Sequence, residues 1–322
     1  MKVDFARGYW TPPLPPLAAF QLERSQIEQL DLAAMISLTD HDTIEAPMLL
    51  RVIPESRQIP VSLEWSVPYR ETELHLGIHN LPSARADEIV RQLNAYTAEP
   101  GDLTLRDLLA MLHHMQDVLI VLNHPLWDLP GIGKARHMQH LTTFVAEFGP
   151  YLHAFELGGL RSWEENREVL EFAQGWNQLV IAGGDRHGCE PSGVINLTEA
   201  QSFSEFVHQV RKEQRSHLLF MPQYREPLPL RLALGVLDVM RDYPDYSAGS
   251  RRWDERVFHA DQTGEIRPLA EMWRKPPALI QCFVKGVHML ESAPLRHIMK
   301  LALGVNRQEP GLMREGRQEA VR

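Results

Sequence analysis

Apolar and polar positions alternate along this chain in two distinct periods. Short, nearly continuous apolar runs appear at 33–38 (AAMISL), 59–65 (IPVSLEW), 73–80 (ELHLGIHN), 117–125 (DVLIVLNHP), 151–159 (YLHAFELGG) and 177–188 (NQLVIAGGDRHG). Runs of this length and composition predict strands buried on both faces of a parallel sheet. Between them lie stretches with helical spacing: LAAFQLERSQIEQL, SARADEIVRQLNAYT with Ser83 as its expected N-cap, TLRDLLAMLHHMQ, MQHLTTFVAEFG and WEENREVLEFAQGW. Strands alternating with helices are the mark of βα units. A first strand at KVDF and a late one at HLLFM bring the number to seven or eight, enough to close a barrel. An open doubly wound sheet is the alternative, but there is no GxGxxG and no GxxxxGK[ST]. GIGKA at 131–135 follows no strand and reads as a plain loop.

The pattern changes after about residue 222. Residues 223–322 mix helices with Pro-rich and charged loops, and LIQCFVKGVHMLESAPLRHIMKLAL reads as a closing helical segment. The tail NRQEPGLMREGRQEAVR reads as mobile. The expected organisation is a barrel over 1–222 with a C-terminal extension, helical and irregular, over 223–322 packed on it.

Composition narrows the class. The 322 residues are 44% hydrophobic and 23% charged, a globular balance. A formal charge of −9 argues against a bulk electrostatic grip on nucleic acid. Two cysteines, Cys189 and Cys282, make neither a disulfide framework nor a structural zinc module. No secretory h-region and no apolar run of membrane-spanning length is visible, so a cytoplasmic location is expected.

Histidine is the unusual number, at 15. One histidine beside an apolar strand is more often a hydrogen-bonded core residue than a ligand, and a strand-end aspartate is commonly a helix cap. Here, however, each of six strands carries ionisable residues at or near its end: Asp40-His41-Asp42, then Glu64, His75 with His79, His124, His153 with Glu156, and Asp185-Arg186-His187. Parallel barrel strands deliver such ends to one face. Imidazoles and carboxylates converging there need a compensating cation. The prominence of imidazole points to zinc, manganese or iron rather than magnesium.

The same residues resemble a family. SLTDHDT is similar to the TDHD motif of the PHP (polymerase and histidinol phosphatase) superfamily, SLEWS to its Gly-x-Glu strand, LNHP to its His-Pro strand end, and AGGDRHG to its Gly-Ser-Asp-x-His closing motif. Order and spacing agree over about residues 30–190. The resemblance implies a distorted (βα)7 TIM-like barrel with two or three divalent transition metal ions, hydrolysing a phosphoester of a small metabolite or nucleotide with a metal-activated water. It further implies His41, Glu64, His75, His124, Asp185 and His187 as metal ligands, with His79 as the alternative to His75. Asp185, Arg186 and His187 would serve catalysis, Asp40 and Asp42 would orient imidazoles, and Arg161 or Arg186 would meet phosphate oxygens.

One motif departs. The family opens with Asp-Leu-His-x-His, whereas here Asp4-Phe5 is followed by Ala6-Arg7-Gly8 and no histidine precedes His41. Either the chain is a shortened version of a longer protein, or its first metal site is lost or rebuilt. The second alternative would make it a PHP-like binding or regulatory module. A metal-dependent amidohydrolase ranks third, for want of a candidate carboxylated lysine at a strand end.

Overall fold

The computed structural model describes residues 8–11, 13–243, 252–261, 265–273, 275–289, 294, 298 and 312–316. The expected KVDF strand and most of the tail lie outside these residues. Strand β1 (Gly8–Trp10) leads into α1 (Pro16–Glu28) and the short α2 (Glu45–Leu50). Then come β2 (Val61–Tyr69), β3 (Thr72–Leu81), α3 (Ala86–Ala98), α4 (Asp102–His114), β4 (Leu119–Asn123), α5 (Lys134–Phe148), β5 (Ala154–Gly158), α6 (Trp163–Gly175) and β6 (Val180–Gly183). Strand β7 (Val194–Asn196), α7 (Phe203–Arg211) and β8 (Arg215–Phe220) follow, then α8 (Leu228–Val239), α9 (Trp253–Arg256), β9 (Val257–Ala260), β10 (Ile266–Pro268), α10 (Leu269–Met272), α11 (Ala278–His288) and β11 (Leu312–Gly316).

The main sheet has five strands in the order β2-β3-β4-β5-β6. It is mixed: β2, β3 and β4 pair antiparallel, while β4-β5 and β5-β6 pair parallel. The expected closed, all-parallel (βα)7 barrel is therefore not formed among the described residues. The reason is local. Strands β2 and β3 are joined by Arg70-Glu71 alone, with Arg70 at a left-handed φ of 57°, which makes a tight hairpin where a crossover was expected. The 33–38 segment is not a strand either. Ser37 Oγ donates to Ser62 Oγ and lies 2.8 Å from His79 Nδ1, so side chains tie this segment where ladder bonds were expected. Only at its end does the chain join the sheet, through a parallel bridge from His41 to Glu64. At the opposite edge, Asn196 bonds the main chain of Ala182 through both amide atoms and links β7 to β6. Helix α3 begins after Arg85, so Ser83 is not its cap.

The two faces of the sheet differ. Leu63, Trp65, Val67, Leu74, Leu76, Ile78, Ile120, Leu122, Phe155 and Leu157 form the large core with α3 to α6. On the other face, Leu119, Val121, Ala154, Leu179 and Ile181 pack against Phe206, Val207 and Val210 of α7. The period-2 alternation of the strands produces this division. Farther along the second face the apolar layer gives way to Glu64, His75, Asn123 and Glu156. No described helix is long and apolar enough to cross a membrane.

Beyond residue 222, β9 pairs with β1 and β10, while β11 lies antiparallel to β8. Part of the tail expected to be mobile, Leu312–Gly316, is thus a strand.

Candidate metal centre

Glu64 is the centre of the arrangement. Its mid-strand position on β2 faces Gly77 of β3, whose missing side chain leaves room for Asn123 and His79. Asn123 Nδ2 donates to Glu64 Oε1 at 3.0 Å, and the same oxygen lies 3.1 Å from His124 Nε2 and 3.4 Å from His75 Nδ1. The other oxygen lies 3.7 Å from His41 Nε2. His75 and His124 bring nitrogens to 3.2 Å from one another, and the His41 ring stands edge-on to His75 with centroids 4.7 Å apart. Glu64, His75 and His124 are buried, while His41 is half-exposed at the mouth.

Charge follows from these contacts. Burial alone would raise the Glu64 carboxyl, but hydrogen bonds from His124 and His75 and the nearby imidazole charges hold it well below the usual range. Burial alone would lower His75, yet Glu64 and Glu73 outweigh it and push its pKa up to about 9. For His124 burial prevails and lowers its pKa. Glu156, fully enclosed on β5, is pushed up to about 8 by burial and by the Asp185 and Glu64 charges. Its Oε2 accepts the His124 main-chain N–H at 2.7 Å.

A pH dependence results for the cation-free protein. The folded state holds a proton on His75 up to about pH 9 and on Glu156 up to about pH 8, whereas the unfolded chain releases them near 6.5 and 4.5. The folded state then binds more protons, so stability falls as pH rises, by at most about 1.4 kcal/mol per pH unit per group. His79 and His153, with pKa values lowered to about 4 and about 2, act only below pH 6.5 and leave this window clean. The urea midpoint should drop between pH 6.5 and 9, and Glu156→Gln should flatten the decline. An unchanged slope in that variant would refute the assignment.

Asp185 and His187 form a second group. His187 Nδ1 lies 2.9 Å from the Asp185 carbonyl oxygen and 3.4 Å from Oδ1, and the His187 ring packs 5.5 Å from Trp10. Asp185 Oδ2 is ion-paired with Arg161 Nη2 at 2.7 Å. The two groups adjoin: the Asp185 charge acts on both His124 and Glu156. His124 and Asp185 have left-handed φ values of 26° and 43°. Such backbone costs roughly 1–3 kcal/mol per residue and clusters at functional sites.

Other sequence candidates lie elsewhere. Arg186 turns away from the cluster: its Nε pairs with Glu23 Oε1 of α1 at 3.0 Å, and its Nη1 donates to the Gly188 carbonyl. Glu23 also accepts the Ser192 main-chain N–H, so this pair fastens α1 to the 186–192 loop. The contacts seen for Arg186 are those of a strut and not of a phosphate ligand. Among the described residues Asp42 meets no imidazole; its Oδ1 accepts the Ser66 N–H at 2.8 Å. Asp40 contributes through its carbonyl, which accepts the Glu64 N–H. His79 Nδ1 meets Ser37 and its ring stacks on Phe203, while its Nε2 lies over Gly77, where the Glu64 charge reaches it. His153 and His113 lie 3.1 Å apart beside the helix-packed end, where His153 Nδ1 accepts the Ile120 N–H.

Sequence reasoning passed over Trp127 and Asn123. Trp127 packs against His124 at 5.0 Å and His75 at 6.1 Å, with the Arg161 guanidinium 4.7 Å from its ring centroid. Its place two residues after the His-Pro strand end was the available signal.

The donor set suits a cation. Among the described residues, His41, Glu64 and His75 offer one ligand atom each within 4.8 Å of one another, and His124 adjoins them through Glu64. Mixed nitrogen and oxygen donors of this kind suit a divalent metal ion.

No family model matches this chain, and neither does any curated protein. Several solved structures are similar to it, two of them each over 61% of this chain. One is an amidohydrolase from Chromobacterium violaceum, with 14% identity, 92% of that chain covered and a TM-score of 0.40. The other is a protein from Bifidobacterium adolescentis provisionally assigned as a metal-dependent phosphoesterase, with 14% identity, 89% covered and a TM-score of 0.32.

Proposed function

We infer that this protein is a metal-dependent hydrolase of phosphoesters, acting on a small phosphorylated metabolite or nucleotide. The observation that carries this reading is the Glu64 carboxylate, approached by His75 and His124 on one oxygen and by His41 on the other. The four ordered motifs of the sequence supply the phosphoester class. His41, Glu64, His75 and His124 would hold the cation, with Asp185 and His187 at its edge. A bound zinc, manganese or iron ion supplies Lewis acidity to water and to phosphoryl oxygens.

The chain's own residues prepare that chemistry. Asn123 fixes the Glu64 carboxylate by a hydrogen bond, in the manner that outer contacts orient metal ligands. Glu156 holds the His124 main chain in its left-handed conformation through the N–H it accepts. Half-exposed Trp127 walls one side of the imidazoles and limits water there. His41 is the ligand candidate open to solvent and so the one a substrate would meet first.

A regulatory or binding module remains the second reading, favoured by the Arg161 contact to Asp185. One experiment separates them. Chelated protein reloaded with zinc or manganese should hydrolyse members of a phosphoester panel, and His41→Ala should lose that activity. Metal content near zero with no turnover on any phosphoester would favour the module.

A further inference from the structure

Asp185 already has a cation beside it. Arg161 leaves the loop after β5 and lies among Gly158, Trp127, Glu165 and Asp185. A Cβ at Gly158 would meet Arg161 Cγ at 2.7 Å, so that glycine clears room for the stem. The guanidinium carbon lies 4.7 Å from the Trp127 ring centroid. Nη2 stands 2.7 Å from Asp185 Oδ2, a charge contact whose angle falls outside hydrogen-bond alignment, and Nε stands 3.4 Å from Glu165 Oε1. The two paired side chains are only 12% and 6% exposed. A surface arginine has none of these restraints.

The basin thus has two places for positive charge. Glu64 with its imidazoles defines one, and Asp185 defines the other, where a guanidinium sits. We propose that Arg161 is a built-in counter-cation to Asp185, so that the site takes a single divalent ion, at His41, Glu64, His75 and His124, and excludes a second ion from Asp185. This rests on the reading of the Glu64 cluster as a metal site. A guanidinium cannot be deprotonated in a protein, so its charge stays fixed at every working pH. It repels a divalent ion at the same carboxylate and occupies one of that carboxylate's oxygens. The buried stem and the Trp127 ring keep it from swinging aside. Arg161 is therefore a positioning residue, setting the number of ions and holding Asp185.

Metal counting tests this directly. Chelated full-length protein is reloaded with zinc, passed through gel filtration and analysed by inductively coupled plasma mass spectrometry. One ion per chain is expected in the wild type and in Arg161→Lys, and two in the neutral Arg161→Gln. Adding Asp185→Asn to Arg161→Gln should return the number to one, and circular dichroism checks that each variant is folded. Two ions in the wild type, or one in folded Arg161→Gln, overturns the counter-cation while leaving the Glu64 site intact. Zero ions in the wild type overturns the Glu64 metal-site reading itself. Two ions in the wild type overturns the proposal even where a variant fails to fold, and Arg161→Met, held to the same expected count of two, replaces Arg161→Gln should that variant not fold.

Discussion

Glu64→Gln should release the bound divalent ion and lower kcat/KM toward phosphoesters by at least about 100-fold. Loss of an outer hydrogen-bond partner alone typically costs roughly 10- to 100-fold in metal affinity or activity. Glu64 is more central than that: His75, His124 and His41 all approach its two oxygens. The glutamine keeps the volume and one acceptor, so packing in β2 survives while the negative charge goes. A second readout is independent of turnover. The carboxylate holds His75 charged, with its pKa at about 9. In the variant, burial should bring the His75 titration, followed by NMR in the cation-free state, well down from that value. Unchanged metal content together with unchanged turnover would sink the metal-centre reading.

Gly183→Ala should be the most damaging small substitution in the sheet. A Cβ built there would stand 1.6 Å from Glu156 Oε1 and 2.3 Å from its carboxyl carbon, far inside contact distance. Glu156 has nowhere to retreat, being 4% exposed and bonded to the His124 N–H. Overpacking costs about 1–3 kcal/mol and a buried N–H left unpaired about as much again. The expected loss is therefore about 2–5 kcal/mol in chemical denaturation. Pairing the change with Glu156→Ala should recover at least about 1 kcal/mol relative to additivity, since the truncated side chain makes room. Strict additivity would show that the two residues do not compete for the same space.

Much of the sheet could be read from sequence, because its buried strands leave an apolar record. The runs at 117–125, 151–159 and 177–188 became β4, β5 and β6, and the helices between them formed as their spacing indicated. Strand direction was harder to see. The Arg70-Glu71 turn contains no glycine or asparagine, so nothing local announced a hairpin, and Glu64 was expected at a strand end when it lies mid-strand. Helix α7 was passed over although Ser202 and Glu205 carry the capping signal; Ser202 Oγ accepts the Glu205 N–H. At the site, residue types were legible and pairings were not. The sequence placed Arg186 between two candidate ligands, but no periodicity could reveal that Glu23, 163 residues earlier, would claim its guanidinium. Trp127, and the pairing of Arg161 with Asp185, were hidden for the same reason, since their meaning lies in contacts between separate loops.

The placement of Trp127 gives this protein an optical gauge of its own chemistry. Its indole lies beside two imidazoles and a guanidinium and is 37% exposed. A charged imidazole quenches indole emission, and His75 is charged in the cation-free state. Filling the centre should displace that proton and brighten the ring. Among the seven tryptophans, Trp127→Phe isolates the signal by difference. If the brightening persisted without Trp127, the emission would be coming from elsewhere in the chain. Ion loading could then be followed in real time without any substrate.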